Sequence, residues 1–122
     1  MGFNLGQRSK DRLKGVDERL VKVVERAIEL TEVDFTVLEG LRTPERQKQL
    51  VSEGFSQTLK SKHLTGHAVD LGALVNGTVS WDKEHYHTIA KAMKKAADEL
   101  NIKVRWGGDF KTFFDGPHWE LV

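Results

Sequence analysis

The sequence predicts an α+β domain in which helices pack on a small, largely antiparallel sheet. Three observations lead there. Apolar residues recur at helical spacing in two segments, first at Leu20, Val23, Val24, Ala27 and Ile28, then at Tyr86, Ile89, Ala90, Met93, Ala96, Ala97 and Leu100. Short runs rich in Val, Phe, Leu and Trp lie between and after them and read as strands. The elements follow one another as helix, strand, helix, strands, helix, strands, and 122 residues make one domain, 1–122, by the usual size relation.

Taken in order, Ser9 to Lys14 has room for a short helical turn closed by Gly15. Asp17 is placed to cap a helix over about 17–31. Residues 35–41 read as a strand. Thr43-Pro44 starts the next helix, with proline at the first position, where its missing N–H costs nothing. That helix ends near Gly54, and 55–66 read as a loop. A strand over 67–71 precedes the Asn76-Gly77 turn signal and a strand over 78–81. Ser80 or Asp82 can cap the long helix, and short strands follow at 103–106 and 118–122, joined by a Gly- and Asp-containing loop.

Composition narrows the function. Lys and Arg total 19 against 18 Asp and Glu, a net charge of +1, which argues against a dedicated nucleic-acid binder. Cysteine is absent, so disulfides and thiolate metal ligands are excluded and a metal could be held only by His, Asp or Glu. The segment from Met1 to Leu20 lacks the apolar core of a signal peptide. No apolar run approaches the roughly 20 residues of a membrane span. The expectation is a monomer that starts in the cytoplasm without stable membrane insertion, and a target beyond the membrane requires a separate way out.

Two segments carry chemistry. One is Ser61-Lys62-His63-Leu64-Thr65-Gly66-His67-Ala68-Val69-Asp70, and the other is Asp115-Gly116-Pro117-His118-Trp119-Glu120. Each sets a histidine and a carboxylate close together at the edge of a strand. Ala68 shares the strand face of Asp70, and its small side chain leaves space beside the carboxylate. His63, Asp70 and His118 would give a catalytic zinc its three protein ligands and leave a fourth position for water, at the sheet edge. Hydrolysis then needs a general base, for which Asp115 is the candidate. It also needs a cation for the oxyanion, for which Arg42 at the end of the first strand is the candidate.

The string Ser61-x-His63-x-x-Gly66-x-Ala68-x-Asp70, followed by Asp115-x-x-His118, resembles the signature of the D-alanyl-D-alanine carboxypeptidase-like zinc peptidases. More closely, the chain resembles the small L-alanyl-D-glutamate peptidases that tailed bacteriophages use as endolysins. This likeness runs from Phe3-Asn4-Leu5-Gly6 through Gly40-Leu41-Arg42-Thr43 and Trp106-Gly107-Gly108-Asp109-Phe110 to His118-Trp119-Glu120-Leu121-Val122. It implies zinc on His63, Asp70 and His118, acid/base work at Asp115, carbonyl polarisation at Arg42 and substrate positioning at Ser61. It further implies peptidoglycan as substrate, cleaved at the L-Ala–D-Glu bond. The enzyme would wait in the host cytoplasm until a separate membrane pore protein opens the way, and then act in the periplasm or cell wall. The alternatives are a D-Ala-D-Ala carboxypeptidase or dipeptidase of the same superfamily, and a non-catalytic wall-binding module whose structural zinc takes His67 as a fourth ligand.

His67 fills a variable position of the motif and reads as a surface residue at a strand start. Glu120 shares the face of His118 and is a candidate for orienting that ligand. Trp119 alternates with His118 and is expected in the core, with Trp81 and Trp106 in the core or at its edge. His85 and His87, two apart on a helix, point different ways and are expected in solvent. Lys60, Lys62, Lys91, Lys94 and Lys95 form modest basic clusters.

Overall fold

The computed structural model describes residues 3–54 and 61–122. In chain order come α1 (Gln7–Arg12), α2 (Glu18–Leu30), β1 (Phe35–Glu39), α3 (Pro44–Ser52), β2 (Ala68–Val75), β3 (Thr78–Ser80), α4 (Lys83–Leu100), β4 (Val104–Trp106) and β5 (His118–Leu121). Single 3-10 turns occupy Lys62–Thr65 and Gly107–Asp109. The α+β class is the one expected. All strand pairs are antiparallel, in the order β1-β2-β5-β4, with β3 added along the far end of β2.

Local chemistry accounts for most boundaries. The Asp17 carboxylate accepts the Arg19 N–H and caps α2. Bonds from the Arg19 side chain and backbone hold that carboxyl down to about 2. Thr43 caps α3 through the Arg46 N–H, with Pro44 at the first position. Asn76 and Gly77 both take positive φ, 54° and 77°, as a two-residue hairpin turn between β2 and β3 requires. Other boundaries moved. Helix α1 begins at Gln7, because Gly6 in extended conformation serves as its cap position. Strand β2 continues to Val75, since β1 and β3 together pair it over that length. Of the loop expected at 55–66, Lys62–Thr65 forms a 3-10 turn capped by Ser61, while 55–60, with Lys60, lie outside the described residues.

The core lies on one face of the sheet. Helix α2 buries Leu20, Val23, Val24, Ala27 and Ile28, and α4 buries Ile89, Ala90, Met93, Ala96 and Ala97, against Phe35, Val37, Val69, Leu71, Trp106 and Trp119. Trp81 corrects its expectation. It lies past the end of β3, 64% exposed, and stacks on the outer face of Tyr86. His87 is exposed but is not free in solvent, its ring standing edge-on to Trp106 at 5.1 Å.

Gly66 ties the motif loop to the rest of the fold. Its φ is +76°, and a Cβ there would lie 2.3 Å from the Gly15 carbonyl oxygen, while its own carbonyl accepts the Asp17 N–H at 2.7 Å. Gly66→Ala combines a left-handed backbone with a backbone clash. It is expected to cost at least about 2 kcal/mol, read as a lowered midpoint in thermal unfolding.

Candidate metal-centred active site

Strand register builds the site. The site is not at the expected sheet edge: Asp70, on an inner strand, pairs with His118 on one side and Glu39 on the other, so three strands contribute to one row on the face away from the core. In the next row Ala68 pairs with Glu120. Glu39 reaches this row through a bulge. Val37 pairs with Leu71, yet Glu39 pairs with the next residue along, Asp70, leaving Leu38 as the extra residue. Without that bulge Glu39 would follow Phe35 and Val37 onto the core face.

His63 comes from the 3-10 turn, whose cap is the Ser61 hydroxyl, accepting the His63 N–H at 3.2 Å. The end of β1 holds this turn twice. The Gly40 carbonyl meets His63 Nδ1 at 2.9 Å, and the Arg42 N–H donates to the His63 carbonyl at 2.9 Å. The second half of the motif is pinned as firmly. The Trp106 indole donates to the Gly116 carbonyl at 2.7 Å, the Leu71 N–H to that of Pro117 at 2.8 Å and the Asp115 N–H to that of Gly107 at 3.0 Å. Gly107 has to be glycine here, because a Cβ would come within 2.2 Å of the Asp115 carbonyl oxygen and 3.0 Å of His118 Cβ.

His63, Asp70 and His118 therefore converge, one ligand atom from each lying within 4.8 Å of the others. His63 is 2% exposed. Its Nδ1 can only donate to the Gly40 carbonyl, which leaves Nε2 as a bare lone pair, and this buried atom has no hydrogen-bond partner. Nε2 faces Asp70 Oδ1 at 3.3 Å. His118 is arranged the same way, with Nε2 on Glu120 Oε1 at 2.8 Å and Nδ1 facing Asp70 Oδ1 at 3.3 Å. With both rings neutral, two imidazole lone pairs aimed at one carboxylate oxygen repel one another unless a proton or a metal ion sits among them. Donors about 2.1 Å from a tetrahedral ion stand about 3.4 Å apart, close to both spacings. An outer acceptor on each imidazole is also what fixes the ring of a metal-ligating histidine. The donor set fits a metal ion.

Burial pushes the Asp70 carboxyl up, but the imidazoles of His118 and His63 beside it outweigh that and hold it far below the carboxylate range. Burial disfavours charge on His118, yet Asp70 and Glu120 raise it. Glu120 is likewise raised by burial but lowered on balance by His118 and by Lys62, whose Nζ lies 3.2 Å away. Asp115 differs. Burial first, then the neighbouring Asp70 charge, raise its carboxyl against His118, His63 and Arg42. A carboxyl raised in this way holds a proton more readily than its neighbours, as a general acid/base requires.

The site opens into a cleft of about 730 Å³ lined by Arg42, Ser61, Asp115, Arg46 and Phe113 in addition to the ligand set. Every site residue expected from the sequence is gathered in it. Ser61 is there with its oxygen engaged as a cap. Among the described residues no fourth protein ligand completes the cluster. His67 instead meets Thr65 Oγ1 at 2.6 Å and Asp17 at 3.6 Å, which removes the ligand that a four-coordinate structural zinc needed. Sequence reasoning missed Glu39 and Gln47, both bonded to Arg42. For Gln47 a signal existed, since it shares a helix face with Leu50 and Val51. For Glu39 there was none, because simple strand alternation puts residue 39 on the core face with Phe35 and Val37.

Comparison with known proteins gives the family. The chain is 37% identical to the L-alanyl-D-glutamate peptidase of Escherichia phage T5 over the whole of both chains. It is 34% identical to that of Listeria phage A118 over 73% of this chain and 31% of that one. The crystal structure of the Serratia marcescens L-Ala D-Glu endopeptidase ChiX superposes with a TM-score of 0.92 at 49% identity, covering 95% of this chain and 87% of that one. The D,D-dipeptidase VanXYg shares the fold, with a TM-score of 0.55 at 16% identity over 87% of this chain and 50% of that one. The family model for phage L-alanyl-D-glutamate peptidase matches residues 1–122, and the chain belongs to that family.

Proposed function

We propose that this protein is a zinc-dependent endopeptidase, a single peptidase domain that hydrolyses the L-Ala–D-Glu bond of peptidoglycan stem peptides in host cell lysis. The observation that carries this is the pair of imidazoles, each locked by an outer acceptor and each turning a lone pair onto Asp70, in a cleft that also holds Arg42 and Asp115. Imidazole and carboxylate donors suit zinc, held by His63, Asp70 and His118. When bound there, zinc supplies Lewis acidity and lowers the pKa of water toward about 7.

The chain's own residues do the rest. Asp115 takes the proton of the attacking water and returns it to the leaving amine of D-Glu. Arg42 donates to the oxygen of the scissile carbonyl as negative charge develops there. Ser61, still able to donate its hydroxyl proton, helps hold the substrate at the mouth of the cleft. Glu120 and the Gly40 carbonyl keep the two imidazoles in the tautomers that metal binding needs.

Among the described residues no helix is long and apolar enough to cross a membrane. On the likeness to the phage enzymes, we read the protein as a monomer that waits in the host cytoplasm. A separate membrane pore protein then admits it to the wall. Mass spectrometry of peptidoglycan digested by zinc-loaded protein should show new L-Ala carboxyl and D-Glu amino ends. EDTA should abolish their release and zinc restore it. Release of D-Ala alone would overturn the assigned bond.

A further inference from the structure

We propose that Gln47 is a positioning residue which, together with Glu39, fixes the plane of the Arg42 guanidinium so that its Nη2 faces the metal cluster. The inference rests on the role given to Arg42 above and goes beyond it. Gln47 is the one buried residue of α3, 1% exposed. A buried amide costs free energy unless it is hydrogen-bonded, and an apolar side chain would seat the helix at no such cost. Gln47 Oε1 accepts from Arg42 Nη1 at 2.7 Å, and Glu39 accepts from Nε. Nη2 lies 3.7 Å from Asp70 Oδ2, too far for a hydrogen bond. Two of the three guanidinium nitrogens are thus gripped from behind. The third, Nη2, is turned toward Asp70, and among the described residues no hydrogen bond engages it.

The neutral amide matters. Glu39 and Asp70 already set two carboxylates against this one cation. A third charged acceptor would further neutralise the positive charge meant for the substrate oxygen, whereas an amide oxygen adds a grip without charge. The start of α3 places this grip, because the Gln47 N–H bonds the Thr43 carbonyl at 3.1 Å, one turn beyond Arg42.

The test is a double-mutant cycle on zinc-loaded protein with a purified stem peptide, reading kcat and KM separately. Gln47→Met keeps the size but removes the acceptor. It should lower kcat about 10- to 100-fold and leave KM within about threefold, with zinc content unchanged. In an Arg42→Ala background the same substitution should cost nothing further. Gln47→Glu keeps the acceptor but adds the unwanted charge, so its kcat should fall between those of wild type and Gln47→Met. Losses that multiply in the double variant would overturn the proposal, as would a folded Gln47→Glu no better than Gln47→Met. Should Gln47→Met fail to fold, Gln47→Glu alone decides by the same kcat readout, a loss as large as that of Arg42→Ala overturning the proposal. Full kcat in Arg42→Ala would instead overturn the role of Arg42. An intact L-Ala–D-Glu bond in wild type would overturn the activity itself.

Discussion

Asp115→Asn should bind zinc at wild-type stoichiometry and lose peptide hydrolysis by about 10²- to 10⁴-fold, the usual worth of a positioned general acid/base. The separation of the two properties follows from geometry. Asp115 is outside the cluster of converging ligand atoms, and its place in the chain is held by its backbone, through the Gly107 carbonyl and the His118 N–H. Removing the charge therefore leaves the turn and His118 where they are. What disappears is a half-buried carboxyl that burial and the Asp70 charge have made easier to protonate. An amide is isosteric but accepts no proton at neutral pH. Metal analysis beside turnover on stem peptide checks this, and a fully active Asp115→Asn enzyme would refute the assignment.

His63→Ala should lose both metal and activity, and its thermal midpoint should no longer respond to added zinc. His63 is the most buried of the three candidate ligands, and its Nε2 has no hydrogen-bond partner among the described residues. Two ligands remain after the substitution, too few for a catalytic zinc site. The variant also removes a buried ring between the Gly40 carbonyl and the Asp70 carboxylate. Metal-free His63→Ala is therefore expected to be less stable than metal-free wild type, by about 2–3 kcal/mol for an unpaired buried acceptor and a cavity. Zinc titration followed by thermal unfolding separates the two effects. Ligand binding raises the wild-type midpoint, and the variant should show no such rise.

The sequence made the ligand residues legible because each is chemically unusual for its place. His63, Asp70, Asp115 and His118 sit in Gly- and Pro-punctuated segments where ordinary packing has no use for them. The core helices were legible for the opposite reason, since their apolar spacing follows the helical period. The polar surroundings of Arg42 were not. Glu39 reaches the site only through a bulge, which depends on how β1 and β2 settle their register, and no local pattern encodes that. Trp81 failed similarly. Its size predicts burial, but its position one residue past β3 puts it outside, over Tyr86. His67 was ambiguous until the structure gave its ring two other partners.

Although β5 comes last in the chain, it lies between β2 and β4, and it carries one of the three converging ligands. A chain emerging vectorially from the ribosome cannot close this sheet, nor bring His118 beside Asp70, before residues 118–121 are free to insert. Nascent chains in which 118–121 have yet to emerge should therefore be inert, and activity should appear in one step once β5 inserts.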